Sequence, residues 1–264
     1  MRMLLALIAA TAIPLADARA ESGPGITVVG TQFLVAQPDG SQLSSPELAG
    51  RILDIEGPDG AAVKVRIDSV TPAAERPSVL LHAFSVLDEA SGRWRPACIP
   101  DAKGRRAGFP VAGAWDARDR YVKDSARWFL TCTSGSQGKC VLWGYDPWSR
   151  GPNGEDLAPH YQACQFMARA DYDSGGTAFT RDGTVIYMTD AAGVNPRFET
   201  GDGLDFEAGW GPDGAVCIAR FRWPDLLTQD AVLALSGRIT GPCEEHSASA
   251  RGGLIFSYLR RVAP

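Results

Sequence analysis

Seven acidic residues, Asp171, Asp173, Asp182, Asp190, Asp202, Asp205 and Glu207, crowd one stretch of this chain. Two carboxylates facing each other across a cleft can act as acid and base in glycoside cleavage. Asp171, Asp190 and Glu207 are the candidates for that role, with His160 as a candidate general base. Carboxylates on loops can also hold calcium, but Gly201-Asp202-Gly203-Leu204-Asp205 lacks the full spaced set of a calcium loop. Acidic residues next to glycine mostly cap turns. Turn chemistry therefore leads, calcium follows, and hydrolysis comes third.

Other chemistries find less support. Gly135-Ser136-Gln137-Gly138 has neither the spacing of a nucleophile elbow nor, on its pattern, a buried strand before it. His82, His160 and His246 are scattered, and His160 reads as a surface residue near a helix start. Phosphate-cradling and dinucleotide glycine patterns are missing. Arg169 and Asp171 stand two apart, and a pair between them would fix a helix end.

Six cysteines remain: Cys98, Cys132, Cys140, Cys164, Cys217 and Cys243. No two of them form a Cys-x-x-Cys pair, so a zinc site is disfavoured and no metal site is assigned. All six are disulfide candidates, with no free thiol expected. Six cysteines allow 15 connectivities, and the sequence does not choose among them. Cys132 and Cys140 could close a hairpin or lead to separate partners.

Disulfides need an oxidising compartment, and the N-terminus supplies a route to one. Arg2, the apolar run Leu4 to Leu15 and the small-x-small triplet Ala18-Arg19-Ala20 form a secretory leader, residues 1–20. The run is too short to span a bilayer, so no transmembrane anchor is expected. The destination is the periplasm or the exterior. The net charge of −5 becomes −6 once Arg2, Arg19 and Asp17 are removed. That balance argues against nucleic acid and anionic membrane surfaces as partners. An envelope glycan or a protein partner stays open.

The elements that must position these residues are mostly strands. Residues 21–88 read as a β-rich part: Ile26 to Val29, Phe33 to Ala36, Ile52 to Ile55, an alternating strand through Val63, Val65 and Ile67, and Val79 to Leu87. Trp115, Tyr121, Trp128 and Phe129 read as core aromatics. Leu157 to Ala170 is the best helix, with Leu157, Tyr161, Cys164 and Ala168 on one face and Pro159 in the first turn. Strands follow at Thr184 to Thr189, Ala215 to Trp223 and Leu254 to Leu259, with a second helix at Pro224 to Leu235. The fold class is α+β: a β-rich N-terminal sheet unit, then a mixed, disulfide-stabilised region (89–264) with one or two helices, packed as one unit.

Three segments carry a family resemblance. Trp94-Arg95-Pro96-Ala97-Cys98, Lys139-Cys140-Val141-Leu142-Trp143-Gly144-Tyr145-Asp146-Pro147-Trp148, and Ala163-Cys164 with Met167-Ala168-Arg169-Ala170-Asp171-Tyr172 resemble the ADYC-domain family of exported bacterial proteins. Thr180-Arg181-Asp182-Gly183-Thr184 and Phe206-Glu207-Ala208-Gly209-Trp210 fit it too, so the resemblance runs over roughly residues 90 to 245. It implies a structural role for Gly144, Tyr145, Pro147, Trp148, Ala170, Asp171 and Tyr172, and no particular activity, substrate or cofactor. The chain departs from the Ala-Asp-Tyr-Cys motif at Asp173, where the cysteine should stand. That departure disfavours an enzyme relying on the thiol and leaves a binding or interaction module in front.

Overall fold

The structure is a computed structural model and describes residues 19–21, 25–57, 60–195, 203–239 and 241–261. All of the expected leader except Arg19 and Ala20 lies outside the described residues, as do Pro58, Asp59 and Asp202.

In chain order the strands are β1 (Arg19–Glu21), β2 (Ile26–Val29), β3 (Gln32–Ala36), β4 (Gln42–Ser44), β5 (Ile52–Glu56), β6 (Ala62–Ala73), β7 (Arg76–Asp88) and β8 (Arg93–Pro96). Then come β9 (Gly108–Ala112), β10 (Ala114–Trp115), β11 (Tyr121–Val122), β12 (Arg127–Cys132), β13 (Tyr187–Asp190), β14 (Leu204–Gly211), β15 (Gly214–Ile218) and β16 (Ile255–Arg260). The helices are α1 (Ser136–Leu142), α2 (Ala158–Arg169), α3 (Gln229–Ala234) and α4 (Glu245–Ala250). This is the α+β architecture expected, with two short helices more than the sequence suggested.

A seven-stranded antiparallel sheet, in the order β1-β12-β9-β7-β6-β5 with β8 on the far end of β7, forms the centre. The residues on either side of position 88 share this sheet. Period-two alternation sends one set of side chains to each face. Leu53, Ile55, Val65, Ile67, Phe84 and Trp128 pack against the small β2-β3-β4 sheet. Val79, Leu81, Phe109, Val111 and Phe129 belong to the larger core, with α1, α2 and the second, four-stranded sheet (β13-β16-β14-β15).

The helix α2 therefore has a sheet on each side. Its residues from His160 to Met167 are buried without a break, where a stripe was expected on one face. A helix enclosed on all sides cannot show an amphipathic period, so the sequence understated its burial. The expected strand over 215–223 ends at Ile218, and the expected helix over 224–235 is a 3-10 turn (Pro224–Leu226) followed by the shorter α3.

The cysteines pair as Cys98–Cys132, Cys140–Cys164 and Cys217–Cys243, with Cα separations of 5.6, 5.8 and 5.7 Å. No cysteine is free. Cys132 and Cys140 lead to separate partners: the first bond ties the segment after β8 to the end of β12, and the second ties α1 to α2. The third links β15 to the segment before α4.

Candidate functional site

The candidate carboxylates are organised by the way α2 ends. Ala170 takes a left-handed conformation (φ 51°), and the chain reverses through Ala170 N to Met167 O (3.1 Å) and Asp171 N to Phe166 O (2.9 Å). These two bonds satisfy the last helical carbonyls in the Schellman manner. The reversal turns Asp171 and Tyr172 inward, and both are fully buried.

Tyr172 stacks on Trp210 (centroids 5.1 Å apart, planes 23°) and meets the edge of Phe221 at 5.3 Å. Its hydroxyl donates to Glu207 Oε1 (3.0 Å) and accepts from the backbone N–H of Arg222 (2.8 Å). Glu207 and Arg222 form a two-pronged ion pair, Nε to Oε1 at 3.0 Å and Nη2 to Oε2 at 2.9 Å. Both side chains are 0 % exposed. The guanidinium also donates to Met167 O (2.8 Å) and Ala168 O (3.3 Å). Arg222 thus places a cation on the C-terminal carbonyls of α2, where the helix dipole favours it. Glu207 binds inside this network, away from any solvent-facing cleft. Gly214 sits beside it: with φ +94°, a Cβ there would come within 2.7 Å of Tyr172 O, so a side chain would push the motif out of place.

Asp171 accepts from the backbone N–H of Gly176 (3.1 Å) and lies 3.4 Å from Arg169 Nη2. Its other oxygen, Oδ1, has no hydrogen-bond donor. Burial pushes the Asp171 carboxyl up to about 6; the Arg169 charge opposes the shift and the charge of Asp173 adds to it. Asp173, at the motif's fourth position, is exposed and accepts from the backbone N–H of Gly175 at 3.0 Å. It acts as a turn cap.

Asp190 belongs to a second cluster. Its carboxylate accepts from Tyr145 Oη (3.0 Å) and from the backbone N–H groups of Val194 (3.0 Å) and Asn195 (2.7 Å). Asn195 Nδ2 donates in turn to Tyr145 Oη (2.9 Å) and Trp143 O (3.2 Å). The loop after β13 is thereby pinned to the Gly144-Tyr145-Asp146-Pro147-Trp148 turn. Gly144, at φ +104°, allows the contact, since a Cβ there would stand 2.6 Å from Val194 Cγ1. The neighbouring Asp146 is gripped by Arg76 through two bonds of 2.6 Å, which tie the turn to the start of β7.

His160 stacks on Tyr145 (6.3 Å, 14°) and is only 5 % exposed, which corrects the expected surface histidine. The corrected position follows from α2 being buried without a break from His160 onward. Neither ring nitrogen makes a hydrogen bond. Burial lowers its pKa, against the opposing charge of Asp190, so His160 is neutral at pH 7 and poorly placed to take up a proton from a substrate. The buried strand judged missing before Ser136 is present as β12. Even so, Ser136 starts a seven-residue helix with no histidine bonded to it.

The structure brings Tyr172, Glu207 and Arg222 together, Tyr145 with Asp190 and His160, and Asp171 with Arg169. The three candidate carboxylates do not share one open pocket. Two surface depressions are lined by Gln229, Val232, Leu233, Ser236 and Ile239, and by residues of the 35–53 region, and none of the three carboxylates lines either. Among the described residues no three His, Cys, Asp or Glu are grouped to hold a metal ion. Sequence reasoning missed Arg222 and Arg76. Arg222 carried a signal, a lone charge between Phe221 and Trp223, because charges in apolar runs are buried only when paired.

A family model, the ADYC domain, matches residues 45–224. The chain belongs to the ADYC domain family. No curated protein and no solved structure matches the chain. The ADYC match takes in β5 to β7, ahead of the stretch from residue 90 that carried the motifs, and stops before α3 and α4. Within the ADYC domain the eponymous Ala170, Asp171 and Tyr172 are the helix reversal, the turn cap and the hub of the buried ion pair.

Proposed function

We propose that this ADYC-domain protein is exported, loses its leader after Ala20, and works in the periplasm or outside the cell as a non-enzymatic binding module. The observation that carries the reading is the fully buried Glu207, held by Arg222 and Tyr172. A carboxylate sequestered in this way fixes structure and is not free to shuttle protons to a substrate. The pairing of all six cysteines supports an oxidising destination. Among the described residues no helix is long and apolar enough to cross a membrane.

A glycan hydrolase is the second reading, favoured by one fact: Asp171, with its carboxyl near 6, has the proton affinity of a catalytic acid. Its complete burial opposes that use. The test is incubation of the purified protein with polymeric cell-wall glycan, with new reducing ends as the readout. None are expected. Release that disappears in Asp171→Asn would establish the hydrolase and overturn the binding module.

A further inference from the structure

One edge of the central sheet carries a segment that export would remove. The strand β1 pairs antiparallel with β12, Arg19 opposite Phe129, Ala20 opposite Trp128 and Glu21 opposite Arg127. It also lies against β5, the strand at the opposite end of the sheet order. So β1 fills a slot that both ends of a strongly curved sheet approach. The two β12 residues lining it are buried on opposite faces. Trp128 is in the core under β2-β3-β4, and Phe129 is in the core containing α2. A strand in this slot is held by main-chain bonds, and the register partner of Trp128 is a small residue, Ala20.

The peptidase pattern Ala18-Arg19-Ala20 puts the cut inside β1. After it, only Glu21 of the three residues remains. An unpaired edge of N–H and C=O groups is a template for another strand, and proteins use such edges to capture extended peptides. We propose that leader removal opens the β12 edge as the docking site for an extended segment of a partner protein, one carrying a small side chain opposite Trp128. In the uncut chain β1 occupies this site as an internal mimic. The inference rests on the exported binding module proposed above and names its partner class.

The experiment compares the exported protein with an uncut chain carrying Ala18→Lys, which spoils the small-x-small pattern and leaves Ala20 in place, oxidised in vitro. Intact mass gives the N-terminus, and hydrogen exchange reads the Trp128 amide, which faces β1 while Arg127 and Phe129 face β9. The expected mature chain starts at Glu21, and its Trp128 amide exchanges at least tenfold faster than in the uncut chain. A synthetic peptide of residues 16–23 then restores protection, and the same peptide with proline at the position of Ala20 does not.

A chain that is not exported, or that keeps Arg19 and Ala20, overturns both the cleavage and the docking site. A chain cut after Ala20 whose edge stays protected without peptide shows its own residues filling the slot. That outcome overturns the inference and leaves export standing. Failure of the peptide to protect an open edge overturns it as well.

Discussion

The two halves of the core are held by different physics. Between the small β2-β3-β4 sheet and the central sheet, Phe33 meets Trp128 edge-on at 5.2 Å and Phe84 at 6.4 Å, and the one titratable group buried there among the described residues is neutral His82, bonded to Ser45 Oγ at 2.8 Å. Around α2, by contrast, the packing carries charges: Glu207 with Arg222, Asp171 with Arg169, and Asp190 at the end of β13. Apolar packing tolerates exchange of similar side chains. A buried ion pair does not, since loss of either partner strands the other. The ADYC motif lies in the half that depends on specific partners.

Breaking the ion pair should show this contrast most strongly. Glu207→Ala leaves Arg222 buried and uncompensated, and it should lower unfolding free energy by about 3–5 kcal/mol, read as a shifted urea midpoint. Replacing both residues together, Glu207→Leu with Arg222→Met, should recover part of the loss. Full retention of stability in Glu207→Ala would remove the distinction between the halves. Opening the Cys140–Cys164 bond with a Ser pair frees a loop of 24-residue separation and should cost about 3 kcal/mol, measured the same way. A smaller change would mean that α1 and α2 stay docked through packing alone.

Acidity separates the halves by sign. Burial lowers the His82 pKa to about 4 from its ordinary 6.5, so its contribution is complete above pH 6.5 and is lost as pH falls toward 4. Burial raises the Asp171 carboxyl from 3.8 to about 6, so its contribution is complete below 3.8 and is lost as pH rises through 6. Asp171→Asn should therefore raise stability at pH 7 by on the order of 2 kcal/mol and His82→Gln should flatten the loss below pH 6.5. Denaturation midpoints from pH 4 to 8 check both, and a common sign would refute the contrast. The smallest effect is expected at Ser45, whose Oγ also accepts from Phe33 N (2.8 Å). Ser45→Ala strands that N–H and should cost about 1–2 kcal/mol in the same titration.

This difference also explains what the sequence disclosed. The N-terminal strands were legible because alternation at Val63, Val65 and Ile67 is a local signal, and α2 because Leu157 to Ala170 has length, a Pro159 start and a clear stop. The strand β14 was not assigned, since Glu207 and the glycines interrupt its apolar pattern, and the charge was there for a partner 15 positions on. Disulfides were foreseeable from the even number of cysteines and the expected export, whereas their connectivity needed the fold. The site was half visible: the motif residues stood out, but Arg76 reaches Asp146 from 70 positions away and Arg222 reaches Tyr172 from 50, and local pattern names neither partner. Asp173, conspicuous in sequence, proved to be a solvent-facing turn cap.

The order of the three disulfides bears on how the chain acquires its structure. The first cysteine is joined to the second, the third to the fourth and the fifth to the sixth, and no loop crosses another. A polypeptide emerging N-terminus first into an oxidant meets its correct partner as the first thiol that follows. In the exported chain proposed above, oxidative maturation can therefore run in one direction, without shuffling of mispaired bonds.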